Sequence, residues 1–409
     1  MHAHGTAPAP PRFEINAILR THGPAFRTRH ALSPQQHRVL RDLERCRTAA
    51  LGGHLYQCDQ CAAETVLYNS CLNRHCSTCQ GPAQFHWIAQ RQKRLLATAY
   101  FHLVFTLPAQ LRPLARACPQ LLFDLLFSAA AQTLLAFGHD PQWLGAQIGF
   151  TLVLHTWTRD LRFHPHVHGI VTGGGLTPDA QRWLSSDPDF LFPVEALSPV
   201  FRGKFLEALI DRHEQGALDN ARLTPTAFRT LTRRLSRLNW VVYSKPSFAG
   251  PDHILNYLGR YTHRVALSNS RLLSVRDDLI TFRTRGAGTC SLPPDQFIRR
   301  FLLHVLPDRF VKIRHYGLLA PANVNTRLAR AQQLLASSDH NTASPTRATA
   351  TSCTSDSPAA AAPDEEAAHP SAAAHLPRCP HCGTGRLVLL GRPGPRGYRH
   401  RRNDPPPFT

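Results

Sequence analysis

The chain has 409 residues, of which 43% are hydrophobic, so it is long enough for two or three domains with at least one sizeable core. Its 47 Lys and Arg against 27 Asp and Glu give a formal net charge of +20, which favours nucleic acid as a partner, with an anionic membrane surface second. The first residues lack the pattern of a signal peptide, and no apolar run reaches the roughly 18 residues of a membrane span. We therefore expect a cytoplasmic protein without a membrane partner.

The first 50 residues have a mixed helical pattern, clearest in the amphipathic stretch PQQHRVLRDLERCRTA. The cysteine-rich zone that follows has two CxxC knuckles separated by 14 residues. A reducing compartment argues against disulfides, and zinc prefers four tetrahedral N or S ligands. We predict one closed structural zinc site in a DNA-contacting module, with the ligands Cys58, Cys61, Cys76 and Cys79. Cys71 or His75 could replace one ligand, and His54 is a weaker competitor.

The region from about residue 84 to 336 alternates helical and strand-like runs. FHLVFTLP predicts a buried strand, and LLFDLLFSAAAQTLLAFG predicts a long helix closed by Gly138 as its C-cap. IGFTLVLHTW and HPHVHGIVT, separated by the polar TRDLRF, predict an antiparallel hairpin, and SVRDDLITFRTR predicts another. We expect an α+β fold with a central antiparallel sheet flanked by helices and preceded by a small zinc-knuckle module.

The carboxyl-terminal part contains a single CxxC knuckle, Cys379 and Cys382, with Cys290 and Cys353 as candidate partners. This knuckle is as consistent with a degenerate remnant as with a second zinc site. The predicted domains are a helical segment (1–50), a zinc-binding module (51–100), the main core (101–336), a disordered Ala/Ser/Thr/Pro-rich linker (337–377) and a basic tail (378–409).

The run FHPHVHG places His164, His166 and His168 on one face of a predicted strand. Two imidazoles at i and i+2 can bind one divalent cation, with a third ligand from elsewhere and open positions left for a phosphate oxygen. The strand leads into the glycines 173–175, where a backbone could approach a nucleotide closely. In a chain with 24 histidines, a half-exposed strand that happens to be His-rich is the alternative.

Tyr257 and Tyr261 lie at i and i+4 of a predicted helix, beside Arg260 and followed by Arg264. Amphipathic packing is the ordinary explanation for such tyrosines. The basic neighbourhood and Gly259 between the phenols, which costs about 1 kcal/mol of helix stability relative to Ala, favour contact with DNA instead. A phenol becomes a competent nucleophile when a metal polarises the scissile phosphate and cations favour the phenolate.

Several motifs occur together in a characteristic order: the zinc knuckles, an FTLP strand, HTW before HPHVHG and GGG, YLGRYTHRVALSNSRL, and FIRRFLLHVLP before KIRHYG. Over roughly residues 15–335, the chain resembles the two-tyrosine HUH transposases of rolling-circle insertion sequences, the insertion-sequence-ninety-one family.

The resemblance implies that His166 and His168 are the HUH metal pair and that Tyr257 and Tyr261 are the nucleophiles. It implies Mg²⁺ or Mn²⁺ as catalytic ion beside structural Zn²⁺, no nucleotide cofactor, and a 5′-phosphotyrosine on single-stranded DNA. Region 101–336 is then the catalytic domain, Arg260 and Arg264 bind DNA, and the partners are transposon-end and target DNA in a bacterial, nucleoid-associated setting.

The third metal ligand is left open by the sequence. His155 on the preceding strand is the leading candidate, and His164 and Asp160 are alternatives.

Three other functions compete with the transposase. An HUH replication initiator or relaxase shares the chemistry, but the amino-terminal knuckles and the absence of a Walker-type motif from the sequence favour the transposase. A zinc-dependent nucleic-acid-binding protein without catalysis would not need the tyrosines. A metallohydrolase that uses the histidine strand would leave hydrolysed DNA ends.

Overall fold

The computed structural model describes residues 13–246, 266–339 and 377–391. The chain divides into a larger unit, Met1–Glu44 with Leu72–Asp339, and a smaller unit, Arg45–Cys71 with His340–Thr409. Helices and antiparallel sheets make up the described residues, which confirms the predicted α+β class. The boundaries of the five domains read from the sequence stay a prediction.

The helices, in chain order, are α1 (Ile15–Arg29), α2 (Pro34–Arg45), α3 (Gly81–Gln92), α4 (Arg112–Ala117), α5 (Pro119–His139), α6 (Val194–Glu214), α7 (Pro225–Ser236), α8 (Pro294–Leu302) and α9 (Ala329–Asp339). The strands are β1 (Gly53–Cys58), β2 (Glu64–Tyr68), β3 (Tyr100–Thr106), β4 (Gln147–Trp157), β5 (Phe163–Leu176), β6 (Trp183–Ser185), β7 (Val242–Pro246), β8 (Leu272–Val275), β9 (Ile280–Arg283), β10 (Thr289–Leu292), β11 (Ile313–Gly317) and β12 (Leu387–Gly391).

The larger unit is built on an antiparallel sheet in the order β11-β4-β5-β3-β7, with β6 beside β5. The predicted hairpin over residues 147–176 forms as β4 and β5, in a register that places His155 opposite His166 and Val153 opposite His168. Because successive strand residues face opposite sides, the histidines share one face and Val167 points to the other. A second sheet, β10-β9-β8, contains the other predicted hairpin.

The main core lies on the face of the central sheet opposite the histidines. Phenylalanines from the sheet and from α5 and α6 fill it, including Phe105, Phe123, Phe127, Phe150 and Phe201. Full burial of each such side chain contributes about 1.5–3 kcal/mol before the cost of ordering. This core therefore holds the sheet rigidly and leaves its other face to carry the histidines.

Helix α5 is apolar along its whole length. It is the one described helix long and apolar enough to cross a membrane, and 67% of its most apolar window is buried inside the protein. The predicted C-cap at Gly138 is wrong, because the helix continues to His139 and Asp140 caps it. Gly138 lies inside the helix, where a Cβ would meet Ile148 Cγ1 at 3.0 Å. A close helix–strand contact, and not a turn, requires this glycine.

The glycines 173–175 pack against neighbouring chain segments. A Cβ on Gly173 would meet Ala99 at 2.9 Å, and one on Gly175 would meet Ala146 at 2.8 Å. Gly174 has a φ of +145°, which favours glycine. The close approach that the sequence indicated is thus made by the protein itself, and these glycines do not require a bound nucleotide.

The smaller unit contains a three-stranded sheet in the order β12-β1-β2. Strand β1 pairs with β2 as a hairpin and with β12 from the carboxyl-terminal part, with Cys58 opposite Leu387. Residues 57–58 and 387–388 are therefore held side by side by backbone hydrogen bonds.

Candidate metal centre

Three imidazoles converge on the face of the central sheet opposite the main core. His155 of β4 and His166 and His168 of β5 each offer a ring nitrogen, and these atoms lie within 4.8 Å of one another. The strand register explains the grouping, because His155 is directly opposite His166 and His168 follows two residues later. We refer to these three residues as the histidine trio.

A hydrogen bond to His166 determines which of its two ring nitrogens keeps a lone pair for a metal. His166 Nδ1 lies 2.7 Å from the carbonyl oxygen of His164, which can only accept, so Nδ1 carries the proton and the neutral ring keeps its Nε2 lone pair. His166 Nε2 lies 3.1 Å from His168 Nε2. Two nitrogens bound at about 2.1 Å to one metal with right-angle geometry lie about 3 Å apart, so the spacing fits a shared divalent cation.

His102 of β3 is a part of the site that the sequence analysis missed. Its Nε2 lies 2.9 Å from His168 Nδ1, and the two ring planes are within 8° of parallel with their centroids 5.2 Å apart. When His168 Nδ1 donates to His102, the His168 Nε2 lone pair is directed at His166. A polar residue inside the otherwise apolar run FHLVF was the available signal.

Burial keeps these rings neutral. It lowers the pKa of His102 and of His166 to about 4 and that of His168 well below its usual value, with like charges on neighbouring groups adding to the effect. A neutral imidazole has the lone pair that metal binding needs. His155 is 2% exposed, whereas His166 and His168 are only partly buried, so the trio is reachable from one side.

The other two candidates for the third ligand have different partners. Arg112 Nη2 donates to His164 Nδ1 at 3.1 Å, and Asp160 forms an ion pair with Arg162 at 2.6 Å. Neither belongs to the group with converging nitrogens. The structure therefore brings His155, and not these residues, together with His166 and His168. Arg112 also adds a cation next to the strand, which suits a phosphodiester.

The structure groups the cysteines of the predicted zinc site, Cys58, Cys61, Cys76 and Cys79, differently from the prediction. Within the smaller unit, Cys58 and Cys61 group with Cys379 and Cys382. The pairing of β12 with β1 brings the carboxyl-terminal knuckle there. The two knuckles predicted to share one ion are instead those nearest along the chain.

The remaining cysteines of this region form pairs. Cys76 and Cys79 of the larger unit are buried with their thiols within 4.8 Å of each other, and Asn16 Nδ2 donates to Cys76 Sγ at 3.4 Å. In the smaller unit, the thiols of Cys46 and Cys71 are equally close. Each pair can supply two thiolate ligands.

His75 does not act as a replacement ligand in the structure. Its Nε2 accepts from the amide of Leu306 at 3.3 Å, and its Nδ1 lies 3.0 Å from the Asn73 side-chain oxygen. Among the described residues, His54 belongs to no metal-binding group. Cys290 is likewise outside these groups, and Cys353 lies outside the described residues.

The predicted helix with the two tyrosines lies outside the residues that the structure describes. Tyr257, Arg260, Tyr261 and Arg264 all lie between residues 247 and 265, outside the described ranges. Their roles rest on the sequence alone.

Comparisons with known proteins match two segments of the chain to transposase families. Residues 149–327 match the family described as putative transposase, and residues 18–107 match a transposase zinc-binding domain. The chain is 45% identical over 334 residues to the putative transposase y4qJ of Sinorhizobium fredii, covering 79% of this chain and 84% of that protein.

A second relative is the transposase for insertion sequence element IS801 of Pseudomonas savastanoi pv. phaseolicola, 30% identical over 291 residues, which are 67% of this chain and 68% of that protein. No solved structure matches. The zinc-domain match and the cysteine clusters support structural zinc. From these matches it follows that the chain is a transposase and belongs to the insertion-sequence-ninety-one family.

Proposed function

We propose that this transposase nicks single-stranded DNA at the ends of its element and transfers the strand by a rolling-circle route, through a 5′-phosphotyrosine intermediate. The observation that carries the proposal is the histidine trio, whose ring nitrogens converge within 4.8 Å on a rigid sheet. The proposed partners are single-stranded transposon-end DNA and target DNA.

The trio would hold Mg²⁺ or Mn²⁺, with His155 as the third ligand. Three neutral nitrogens leave coordination positions for phosphate oxygens and water, unlike a closed site of four thiolates. The ion, when bound, supplies Lewis acidity that makes the phosphorus of the scissile phosphodiester more electrophilic. His164 contributes its carbonyl oxygen, which orients His166, and His102 orients His168.

Tyr257 and Tyr261 would be the nucleophiles, as the family resemblance implies. A phenolate oxygen attacks phosphorus, the bond to the 3′ oxygen breaks, and that oxygen leaves as a 3′-hydroxyl after taking up a proton. The phosphotyrosine ester retains the energy of the broken bond, so a new 3′-hydroxyl can rejoin without ATP. A second tyrosine permits a second cleavage while the first is still esterified, and Arg260 and Arg264 would bind the DNA backbone.

The experiment is an adduct assay with a labelled single-stranded oligonucleotide from the end of the element. The wild-type chain should form a covalent 5′-linked protein–DNA adduct, and the double variant Tyr257→Phe with Tyr261→Phe should form none while still binding the oligonucleotide. Tyr243→Phe, on β7, is the matched control and should keep the adduct.

Two outcomes would contradict the proposal. Hydrolysed ends without any adduct would indicate a metallohydrolase. Unchanged adduct formation by the double tyrosine variant would exclude these phenols as nucleophiles.

A further inference from the structure

We propose that Cys58, Cys61, Cys379 and Cys382 bind one zinc ion, and that this ion joins the carboxyl-terminal knuckle to the amino-terminal hairpin of the smaller unit. The matched zinc-binding domain covers residues 18–107 and so contains only half of these ligands. The inference concerns a discontinuous site and does not depend on the nicking chemistry.

The sulfur positions have the spacing of a tetrahedral zinc site. Cys58 Sγ lies 3.7 Å from Cys382 Sγ, and Cys61 Sγ lies 3.7 Å from Cys379 Sγ. Four sulfurs at about 2.3 Å from a tetrahedral zinc ion are separated by about 3.8 Å. A disulfide would instead bring two sulfurs to about 2.05 Å. The four thiols are therefore spaced for a shared metal ion, and not for oxidation to cystine.

Backbone amides stabilise negative charge on three of these sulfurs. In the first knuckle, the amides of Gln60 and Cys61 donate to Cys58 Sγ, both at 3.4 Å. In the second knuckle, the amide of His381 donates to Cys379 Sγ at 3.3 Å. The amide of Gly385 donates to Cys382 Sγ at 3.3 Å in the same way. Two tight turns that each direct amides at their own sulfurs are suited to thiolate ligands.

The chain is also shaped to bring the two knuckles together. The amide of Asp59 donates to the carbonyl oxygen of Arg386 at 3.0 Å, and the amide of Arg386 donates to the Asp59 carboxylate at 2.8 Å. Leu387 is 1% exposed and packs with Cys58 and Cys379. A Cβ on Gly385 would collide with Cys58 Sγ, so the close approach requires glycine.

Free thiols in an apolar core do not explain the arrangement. Cys61 is exposed and Cys382 is half-exposed, so burial of these side chains gives little free energy. Four sulfurs in tetrahedral spacing select zinc or iron, and a closed set without an open position is typical of structural zinc.

The first test is the zinc content of the purified full-length chain. The double variant Cys379→Ser with Cys382→Ser should contain one zinc equivalent fewer per chain than the wild type. Cys118→Ser with Cys290→Ser is the matched control, because neither residue belongs to a described metal-binding group, and its zinc content should be unchanged. A carboxyl-terminal variant with the wild-type zinc content would overturn the proposal.

A second measurement uses the wild-type chain alone, in case the double variant fails to fold. Iodoacetamide labelling with mass spectrometry should find Cys61 and Cys382 protected in the zinc-loaded chain, although they are accessible to solvent. Both should react after a chelator removes zinc, together with Cys58 and Cys379. Fast labelling of Cys61 and Cys382 in the zinc-loaded chain would show that no ion is bound there.

Discussion

His102 illustrates how one side chain can determine the chemistry of another. Its ring plane is within 8° of that of His168. The hydrogen bond between His102 Nε2 and His168 Nδ1 directs the other nitrogen of His168 at His166. Burial holds the pKa of His102 at about 4, which keeps the ring neutral near pH 7, so that its Nε2 can accept a hydrogen bond from His168 Nδ1. We describe His102 as a positioning residue, because its effect acts through the proposed ligand.

We expect His102→Ala to weaken Mn²⁺ binding by about 10–100-fold, since it removes the partner that orients a ligand. Isothermal titration of Mn²⁺ into the full-length chain without DNA measures this directly. His102→Gln should recover part of the affinity through its side-chain oxygen. His164→Ala is the control and should bind Mn²⁺ normally, because the hydrogen bond that orients His166 is made by the backbone carbonyl of residue 164, which the substitution keeps. Wild-type affinity in His102→Ala would contradict the positioning role.

For individual residues, the sequence predicts only some of the ligands of the metal site. The spacing of His166 and His168 on a strand predicts their shared face. The choice among His155, His164 and Asp160 depends on the register of β4 against β5, which the sequence does not specify. A hairpin register displaced by one residue would turn His155 to the opposite face.

The β5 strand is the element that links the site to the fold. Its first half carries the histidines, and its second half is the glycine run that lets β6 and neighbouring segments pack closely. Gly174 has a φ of +145° and lies close to the backbone of β6. A larger residue at this position would therefore have a strained backbone and too little space for its side chain.

Gly174→Ala should lower the free energy of unfolding by about 2–4 kcal/mol, through backbone strain and overpacking. A Cβ there would lie 2.5 Å from the Leu184 carbonyl oxygen and 2.7 Å from Trp183 Nε1. Urea denaturation followed by circular dichroism measures the change.

Gly203→Ala in the exposed part of α6 is the control, since nothing lies within 4 Å of its Cβ position. It should raise the free energy of unfolding by roughly 0.5–1 kcal/mol, because Ala restricts the unfolded chain and favours the helix. Equal effects of the two substitutions would mean that the packing around Gly174 is unimportant for stability.

Elements with a strong local pattern were predictable. The alternation in HPHVHGIVT and the apolar run of α5 indicate their structures correctly, because burial of one strand face leaves an alternating pattern and burial of a whole helix leaves a long apolar run. The physical reason for glycine at several positions was not predictable from the sequence. Glycine is needed at position 138 and in the run 173–175 because residues from elsewhere in the chain pack closely there. Local turn patterns in the sequence do not predict such contacts.

On the scale of the whole molecule, the sequence indicates the fold class and the family but not the long-range pairing of the knuckles. Cys58 and Cys382 are 324 positions apart, and the pairing of β1 with β12 brings them together. Spacing rules for zinc knuckles favour near neighbours, so the sequence analysis grouped Cys58 and Cys61 with Cys76 and Cys79 instead.

The central claim is that the histidine trio holds the ion on which strand nicking depends. The most direct measurement is the yield of covalent protein–DNA adduct as a function of Mn²⁺, for the wild-type chain and for the double variant His166→Ala with His168→Ala. We predict no adduct in the wild type with EDTA, recovery when Mn²⁺ is added, and no adduct from the double variant at any Mn²⁺ concentration, even though it still binds the oligonucleotide. Full adduct formation in EDTA, or by the double variant, would contradict the account.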